Sequence, residues 1–143
     1  MTAQDEAARL LEMAGGDLFK AMQLLEGQLN VLHTRAQVLL SLASVVITVT
    51  GFSGRAIAVS GLFAAVCLSA ALFLVLGGAV WTWLRVMRVS WTTQELDQAP
   101  VAALECIILR RERKTAAYRQ GGLLLCTGVF FYCLALARML LAA

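Results

Sequence analysis

The chain has few charged residues, one proline and one histidine among its 143 residues. Charged residues make up 15% and hydrophobic residues 60%, whereas soluble domains average about a quarter charged and about half apolar. This composition argues against an ordinary soluble domain and predicts that lipid covers much of the surface. Only helices and closed barrels satisfy their backbone hydrogen bonds in hydrocarbon, and the sequence has no series of alternating ten-residue strands. We therefore expect an all-α integral membrane protein.

Motifs for catalysis or metal binding are also missing. The four cysteines form no CxxC or Cys/His spacing, and three of them lie in apolar segments, which favours buried thiols that act as small hydrophobic groups. His33 has no carboxylate nearby in the sequence and would be a poor base. No nucleophile elbow, phosphate loop or intramembrane carboxylate pair is present. We expect no enzyme activity, no metal and no cofactor, and the net charge of +3, confined to particular loops, argues against nucleic acid as a partner.

The N-terminal segment 1–35 has the pattern of a cytoplasmic amphipathic helix. It begins with acidic residues, unlike a secretory signal peptide. Leucines recur every seven residues and predict a seam that pairs with another helix: Leu11, Leu18, Leu25 and Leu32. The pair Gly15–Gly16 predicts a break, with Asp17 capping the helix that follows. Two interpretations of the seam remain open: a coiled coil between subunits, or a helix lying on the bilayer or against its own chain.

The remaining segment, 36–142, is predicted to form a three-span membrane domain. The spans are expected at about 36–52, 57–84 and 121–141, with a cytoplasmic helical segment at 85–120. No proline or turn separates the N-terminal helix from the first span, so we expect one continuous helix there. That span has about 17 residues, or about 26 Å of helix, and a turn is predicted at 51–54. Pro100 suits the first turn of a new helix, and Gly121–Gly122 is a candidate bend.

The positions of the basic residues predict the orientation of the chain. Seven lie between the second and third spans: Arg85, Arg88, Arg110, Arg111, Arg113, Lys114 and Arg119. Arg9, Lys20 and Arg35 precede the first span, and only Arg55 and Arg138 lie on the other side. The positive-inside rule then places the N-terminus and the segment Arg85–Arg119 in the cytoplasm and the C-terminus outside.

Three groups of residues are candidates for function. The first is a polar stripe on the first span, formed by Gln37, Ser41, Ser44 and Thr48. This stripe either supports close helix packing or, in an oligomer, lines a narrow polar pathway. The second is a ridge of small residues on the second span, formed by Gly61, Ala65 and Ser69, which predicts close helix packing. The third is a basic cluster that would contact lipid headgroups or an anionic ligand such as a nucleotide: Arg110, Arg111, Arg113, Lys114 and Arg119.

Two stretches resemble the transmembrane effector domains of bacterial Pycsar-type antiphage systems, in which a nucleotide second messenger signals infection. "LHTRAQVLLSLASVV" is similar to the basic approach to the first span of that family, and "LECIILRRERKTAAYRQGGLLLCTGVFFY" to its basic helix before the last span. Together they cover under half of the chain. The family usually has an aspartate and a lysine where this chain has His33, Thr34 and Arg35, and we expect no separate sensing domain within these 143 residues.

The resemblance implies an oligomer that compromises the inner membrane when a cytoplasmic signal arrives, with the helix from Arg110 to Arg119 as the sensor. The competing interpretation is a non-catalytic accessory subunit of a larger respiratory, photosynthetic or transport complex. Both interpretations predict the lipid bilayer as a partner and association through helices, either with copies of the chain or with other subunits.

Overall fold

A computed structural model describes residues 2–87 and 99–142, and over these ranges the regular elements are all helices. They are α1 (Ala3–Met13), α2 (Leu18–Val59), α3 (Leu62–Val86) and α4 (Pro100–Ala142). The three longer helices are each long and apolar enough to cross a membrane. The all-α prediction with three candidate spans is therefore confirmed. The polar stretch at 88–98, which includes Arg88, lies outside the described residues.

The junction between α1 and α2 forms as the local sequence predicts. Gly15 and Gly16 have φ angles of 68° and 81°, which glycine adopts without steric penalty. The Asp17 side chain then accepts hydrogen bonds from the backbone N–H groups of Phe19 and Lys20, at 3.0 and 3.3 Å. These bonds satisfy two of the donors that a helix start leaves unpaired. Pro100 likewise occupies the start of α4, as predicted.

Helix α2 is longer than the predicted first span. It continues through the glycines and serine at 51–54 and ends at Val59, so the turn predicted there is wrong. The backbone of this segment stays in the helical hydrogen-bond pattern, and Ser53 donates to the carbonyl of Val49 at 2.8 Å. The chain reverses instead at Ser60 and Gly61, where a φ of 149° favours glycine. From Ala36 to Val59 the helix has about 24 residues, or about 36 Å of length.

Helix α3 packs against both α2 and α4 in the apolar part of the molecule, where the three helices form a bundle. Ile57 near the end of α2 contacts the start of α3, and Ala36 lies with Val86 at the end of α3. On α4, Leu125 packs with Val75 and Ala135 packs with Ala64, so α3 and α4 run antiparallel.

The pair Gly121–Gly122 does not interrupt α4, which is one helix through this region.

Beyond the end of α3, helix α1 becomes the third member of the bundle. We call this region, formed by α1, residues 18–35 of α2 and residues 100–120 of α4, the polar end. Its core contains Ala7, Leu25 and Leu104, all fully buried. The predicted leucine seam is used here within one chain: Leu11 and Leu18 pack against this core, and Leu32 packs with Ala36. Packing within the chain, one of the two open interpretations, therefore accounts for the seam.

The closest helix contact lies between α3 and α4, and it does not involve the predicted ridge. Gly61 lies in the turn before α3, Ala65 is half-buried, and Ser69 is exposed. A Cβ atom added at Gly78 would instead lie 2.9 Å from the carbonyl oxygen of Gly121. One added at Gly128 would lie 3.0 Å from the carbonyl of Ala71. Within the chain, close helix packing therefore uses other small residues of α3, Ala71 and Gly78, and the packing role of Gly61, Ala65 and Ser69 stays a prediction.

Candidate assembly face and basic cavity

The polar stripe of α2 lies on the side of the helix that faces away from the rest of the chain. The buried side is marked by residues seven apart: Ala36, Ala43, Thr50 and Ile57. The stripe residues Gln37, Ser41, Ser44 and Thr48 are all exposed. At 3.6 residues per turn, the four fall within about 60° of one another and, on average, about 140° from the buried side. The chain's own packing therefore leaves the stripe uncovered.

Two hydroxyl groups of the stripe are bonded to their own helix. Ser44 donates to the carbonyl of Leu40 at 3.0 Å, and Thr48 donates to that of Ser44 at 2.8 Å. Their oxygen atoms can still accept hydrogen bonds, as serine and threonine commonly do across helix interfaces. Arg55 follows Gln37 by five helical turns and is exposed on the same side. The stripe itself is polar but uncharged.

An exposed apolar ridge runs beside the stripe along the whole of α2. Its members are seven residues apart: Leu24, Val31, Val38, Val45, Phe52 and Val59. The first two belong to the polar end, where charged residues such as Glu26 are neighbours in sequence. Sequence reasoning missed this ridge, although its seven-residue spacing parallels that of the leucine seam and could have been found. We call the ridge and the stripe together the α2 outer face.

The basic cluster predicted on α4 is divided between two sides of the helix. Arg111 faces α1 and α2: its guanidinium lies 2.9 Å from a carboxylate oxygen of Glu6 and donates to the side-chain oxygen of Gln28 at 2.8 Å. Arg111 and Arg119 line one shallow depression. Arg110, Arg113 and Lys114 line a different cavity, which they share with α3. The five residues thus do not act as one patch.

The second cavity, which we call the basic cavity, lies where the last turns of α3 meet the middle of α4. Its volume is about 510 Å³, and α3 contributes Trp81 and Arg85 to its lining. The Arg85 guanidinium lies over the Trp81 ring, 4.9 Å from the ring centre, within the range of a cation–π contact. Sequence reasoning counted Arg85 among the basic residues that follow the second span but did not associate it, or Trp81, with the α4 cluster. Their contact depends on the pairing of α3 with α4.

The pKa of Lys114, which lines this cavity, is lowered by its surroundings. Burial lowers the pKa of its ammonium group below the ordinary value, and the nearby Arg110 charge lowers the pKa further. Both causes disfavour the charged form of the lysine. The indole N–H of Trp81 is buried and has no hydrogen-bond acceptor among the described residues.

His33 joins α2 to the end of α3. Its Nε2 atom lies 3.1 Å from the carbonyl oxygen of Val86, one of the last carbonyls of α3 that have no partner within the helix. Because a carbonyl only accepts, Nε2 carries the proton in this contact. His33 is therefore a structural donor at the junction between the polar end and the apolar part.

The cysteines follow the sequence prediction only in part. Cys67 is buried in the core between α3 and α4, as expected. Cys126 and Cys133 are exposed on α4, and Cys106 is exposed at the polar end. The prediction of buried thiols in the apolar segments is thus wrong for α4, because these two positions lie on the side of the helix away from the α3 contact.

No protein-family profile, curated protein or solved structure matches the chain. The fold defines an all-helical protein with three helices able to cross a membrane by length and composition.

Proposed function

We propose that the chain is a bacterial inner-membrane protein that assembles with copies of itself through the α2 outer face, and that the assembly perturbs the membrane. Helices α2, α3 and α4 are the spans, and the polar end lies in the cytoplasm. The observation that carries the proposal is the exposure of Gln37, Ser41, Ser44 and Thr48 on the side opposite the chain's own core.

Polar side chains are costly in contact with lipid, and helix interfaces in membranes use such groups for packing and hydrogen bonding. The adjoining ridge also indicates that another protein covers the α2 outer face. Its members Leu24 and Val31 are exposed at the polar end, beyond the apolar part of α2. Lipid tails cannot cover those two side chains if the polar end lies in water. Further copies of α2 can cover the ridge and bring the stripes together along one continuous interface.

In an assembly of several copies, the stripes turn towards a common axis and line a narrow pathway. Hydroxyl and amide groups make this pathway weakly polar, and the lack of charge along it means little ion selectivity. The assembly then acts by letting small solutes or ions leak across the membrane. This is the activity that the resemblance to nucleotide-signalled effectors implies.

The assembly is tested by measuring the mass of the detergent-solubilised protein with native mass spectrometry. Thr48→Leu adds bulk to the stripe and removes its hydroxyl group, so we expect the oligomer to dissociate or change size. Thr127→Leu is the matched control, because Thr127 is also exposed on a candidate span and bonds to its own helix at 2.8 Å. A monomer for the unsubstituted chain would contradict self-assembly. Purification only with other proteins would favour the accessory-subunit interpretation.

The activity is tested separately with the purified protein in dye-loaded vesicles of phosphatidylethanolamine and phosphatidylglycerol. We expect dye release that depends on protein concentration and is reduced by Thr48→Leu but not by Thr127→Leu. An oligomer that forms normally and releases no dye under any condition would retain the assembly and contradict the membrane-perturbing role.

A further inference from the structure

The surface of the bundle changes from polar to apolar at one level along the three long helices. Ala36 of α2, Val86 of α3 and Ala117 of α4 are buried together and mark this level. Exposed side chains of α4 are polar just before it, as at Thr115, and apolar just after it, as at Leu123. For helices that cross a membrane, such a change is typical of the boundary between headgroups and hydrocarbon.

Each long helix carries one exposed arginine at this level. They are Arg35 on α2, Arg85 on α3 and Arg119 on α4. Each lies within two residues of a member of the shared buried cluster, which is about 3 Å along a helix axis. The three arginines are thus distributed over the bundle at one height, and we call them the arginine collar.

Acidic side chains are absent from the turns around the collar. The described segments 31–39, 81–87 and 115–123 contain no aspartate or glutamate. Arg111, two turns before Arg119 on α4, differs because its guanidinium lies 2.9 Å from a carboxylate oxygen of Glu6. The collar therefore adds positive charge at the level where lipid phosphate groups would lie.

The side chains at this level suit a lipid headgroup. A guanidinium group donates pairs of hydrogen bonds to phosphate oxygen atoms, and the long arginine side chain can place it in the headgroup layer. The Arg85 guanidinium lies 4.9 Å from the centre of the Trp81 ring, and Trp83, two residues before Arg85, is 61% exposed. Tryptophan is enriched at membrane interfaces, so aromatic and basic groups indicate the same boundary.

We propose that the arginine collar binds the phosphate groups of anionic phospholipids in the leaflet next to the polar end. The proposal rests on the proposed function in one respect, because α2, α3 and α4 must be the spans. Sequence analysis assigned headgroup contact to basic residues of α4 alone. The collar keeps one of them, Arg119, and adds one arginine from each of the other two spans.

The lipid preference is measured by electron paramagnetic resonance with the full-length chain in phosphatidylcholine vesicles. These vesicles contain a small amount of spin-labelled phosphatidylglycerol in one sample and spin-labelled phosphatidylcholine in another. Lipids that contact the protein give a motionally restricted component. One basic residue near a membrane surface favours an anionic lipid about fivefold. Most lipids around the chain do not touch the collar, so we expect an average preference for phosphatidylglycerol of about twofold.

Substitutions distinguish the collar from a general effect of positive charge. Arg85→Gln and Arg119→Gln should each reduce the preference, and Arg119→Lys should retain most of it. Lys20→Gln is the control, because Lys20 is exposed on α2 about 22 Å from Arg35 along the helix. That distance exceeds the screening length of about 8 Å at physiological salt, so the preference should not change. Circular dichroism checks that each variant keeps its helix content.

The possible failures are distinguishable from one another. Restricted components of equal size for the two lipids would overturn the collar and leave the spans in place. A loss with Lys20→Gln as large as that with Arg119→Gln would also overturn it. A chain that restricts neither lipid would not be inserted in the bilayer, and the proposed function would then fail together with the collar.

Discussion

At the scale of single residues, the α3–α4 contact depends on positions where no side chain fits. A Cβ at Gly78 would lie 2.9 Å from the Gly121 carbonyl oxygen and 3.1 Å from the Leu125 nitrogen, and these backbone atoms cannot easily move. Gly78→Ala should therefore destabilise the fold by about 1–3 kcal/mol. Gly77→Ala is the neighbouring control, since a Cβ there meets nothing within 4 Å, and alanine favours a helix.

Both glycine variants are compared by unfolding in detergent with increasing dodecyl sulfate, followed by circular dichroism. We expect the midpoint to fall for Gly78→Ala and to stay or rise for Gly77→Ala. Similar midpoints for the two variants would mean that the helices do not approach each other as closely as described.

His33 makes a second prediction at this scale. His33→Ala removes the donor to the Val86 carbonyl and should cost about 1 kcal/mol, the usual net value of a hydrogen bond. His33→Gln keeps a side-chain donor and should recover part of the loss. Thr34→Ala is the control, because Thr34 is exposed and bonds only locally, to the Asn30 carbonyl at 3.0 Å. If His33→Ala proves no more destabilising than Thr34→Ala in the same unfolding assay, the junction does not depend on this bond.

These residues also show which details the sequence could predict. The break at Gly15–Gly16 and the Asp17 cap involve only neighbouring residues, so local patterns were sufficient. The contact of Gly78 with Gly121, or of Arg85 with the α4 cavity, depends on how far α4 slides along α3. Apolar helices carry little information about that register, and several small residues on α3 matched a packing motif equally well.

At the scale of elements, α1 is a helix that depends on its neighbours. It has 11 residues, and isolated helices shorter than about 12–15 residues are marginal in water. It is held by burial of Ala7 and by the Glu6–Arg111 pair, whose side chains are each about a quarter exposed. Arg111→Met should weaken docking by about 1 kcal/mol and increase amide hydrogen exchange across Ala3–Met13.

A control variant and a second substitution show whether the effect on α1 comes from the Glu6–Arg111 pair or from the loss of any charge on α4. Arg119→Met removes an exposed arginine of α4 and should leave the exchange of α1 unchanged. Glu6→Gln should increase exchange, and the double variant with Arg111→Met should add little to either single one, as coupled residues do. Fully additive effects would show that the two side chains do not interact.

The extent of a helix could be predicted where the seven-residue spacing of apolar residues continued. It could not be predicted where the local residues resembled those of a turn. The seven-residue spacing from Leu25 to Leu39 correctly indicated that α2 would not stop at the start of its apolar run. The glycines and serine at 51–54 resemble a turn in water. In apolar surroundings a helix satisfies their backbone hydrogen bonds within the segment itself, and glycine is common in membrane helices.

At the scale of the whole molecule, one repeat organises all three long helices. Buried residues recur every seven positions on each helix, as Ala43, Thr50 and Ile57 on α2, Ala64, Ala71 and Gly78 on α3, and Gly121, Gly128 and Ala135 on α4. A seven-residue repeat is the pattern of helices that wind around one another with a left-handed twist. Because α1 takes the place of α3 at the polar end, the bundle keeps three helices along its length.

The orientation of this bundle in a membrane leads to the last prediction. If the polar end lies in the cytoplasm, the exposed thiol of Cys106 should react with a membrane-impermeant maleimide only in inverted membrane vesicles. The chain used carries Cys67→Ala, Cys126→Ala and Cys133→Ala, which leaves Cys106 alone. The control adds Cys106→Ala and Val59→Cys, because Val59 is exposed at the opposite end of α2, and it should label only in right-side-out vesicles. Labelling of both thiols from the same side would contradict a crossing by α2, and a reversed pattern would place the polar end outside the cell.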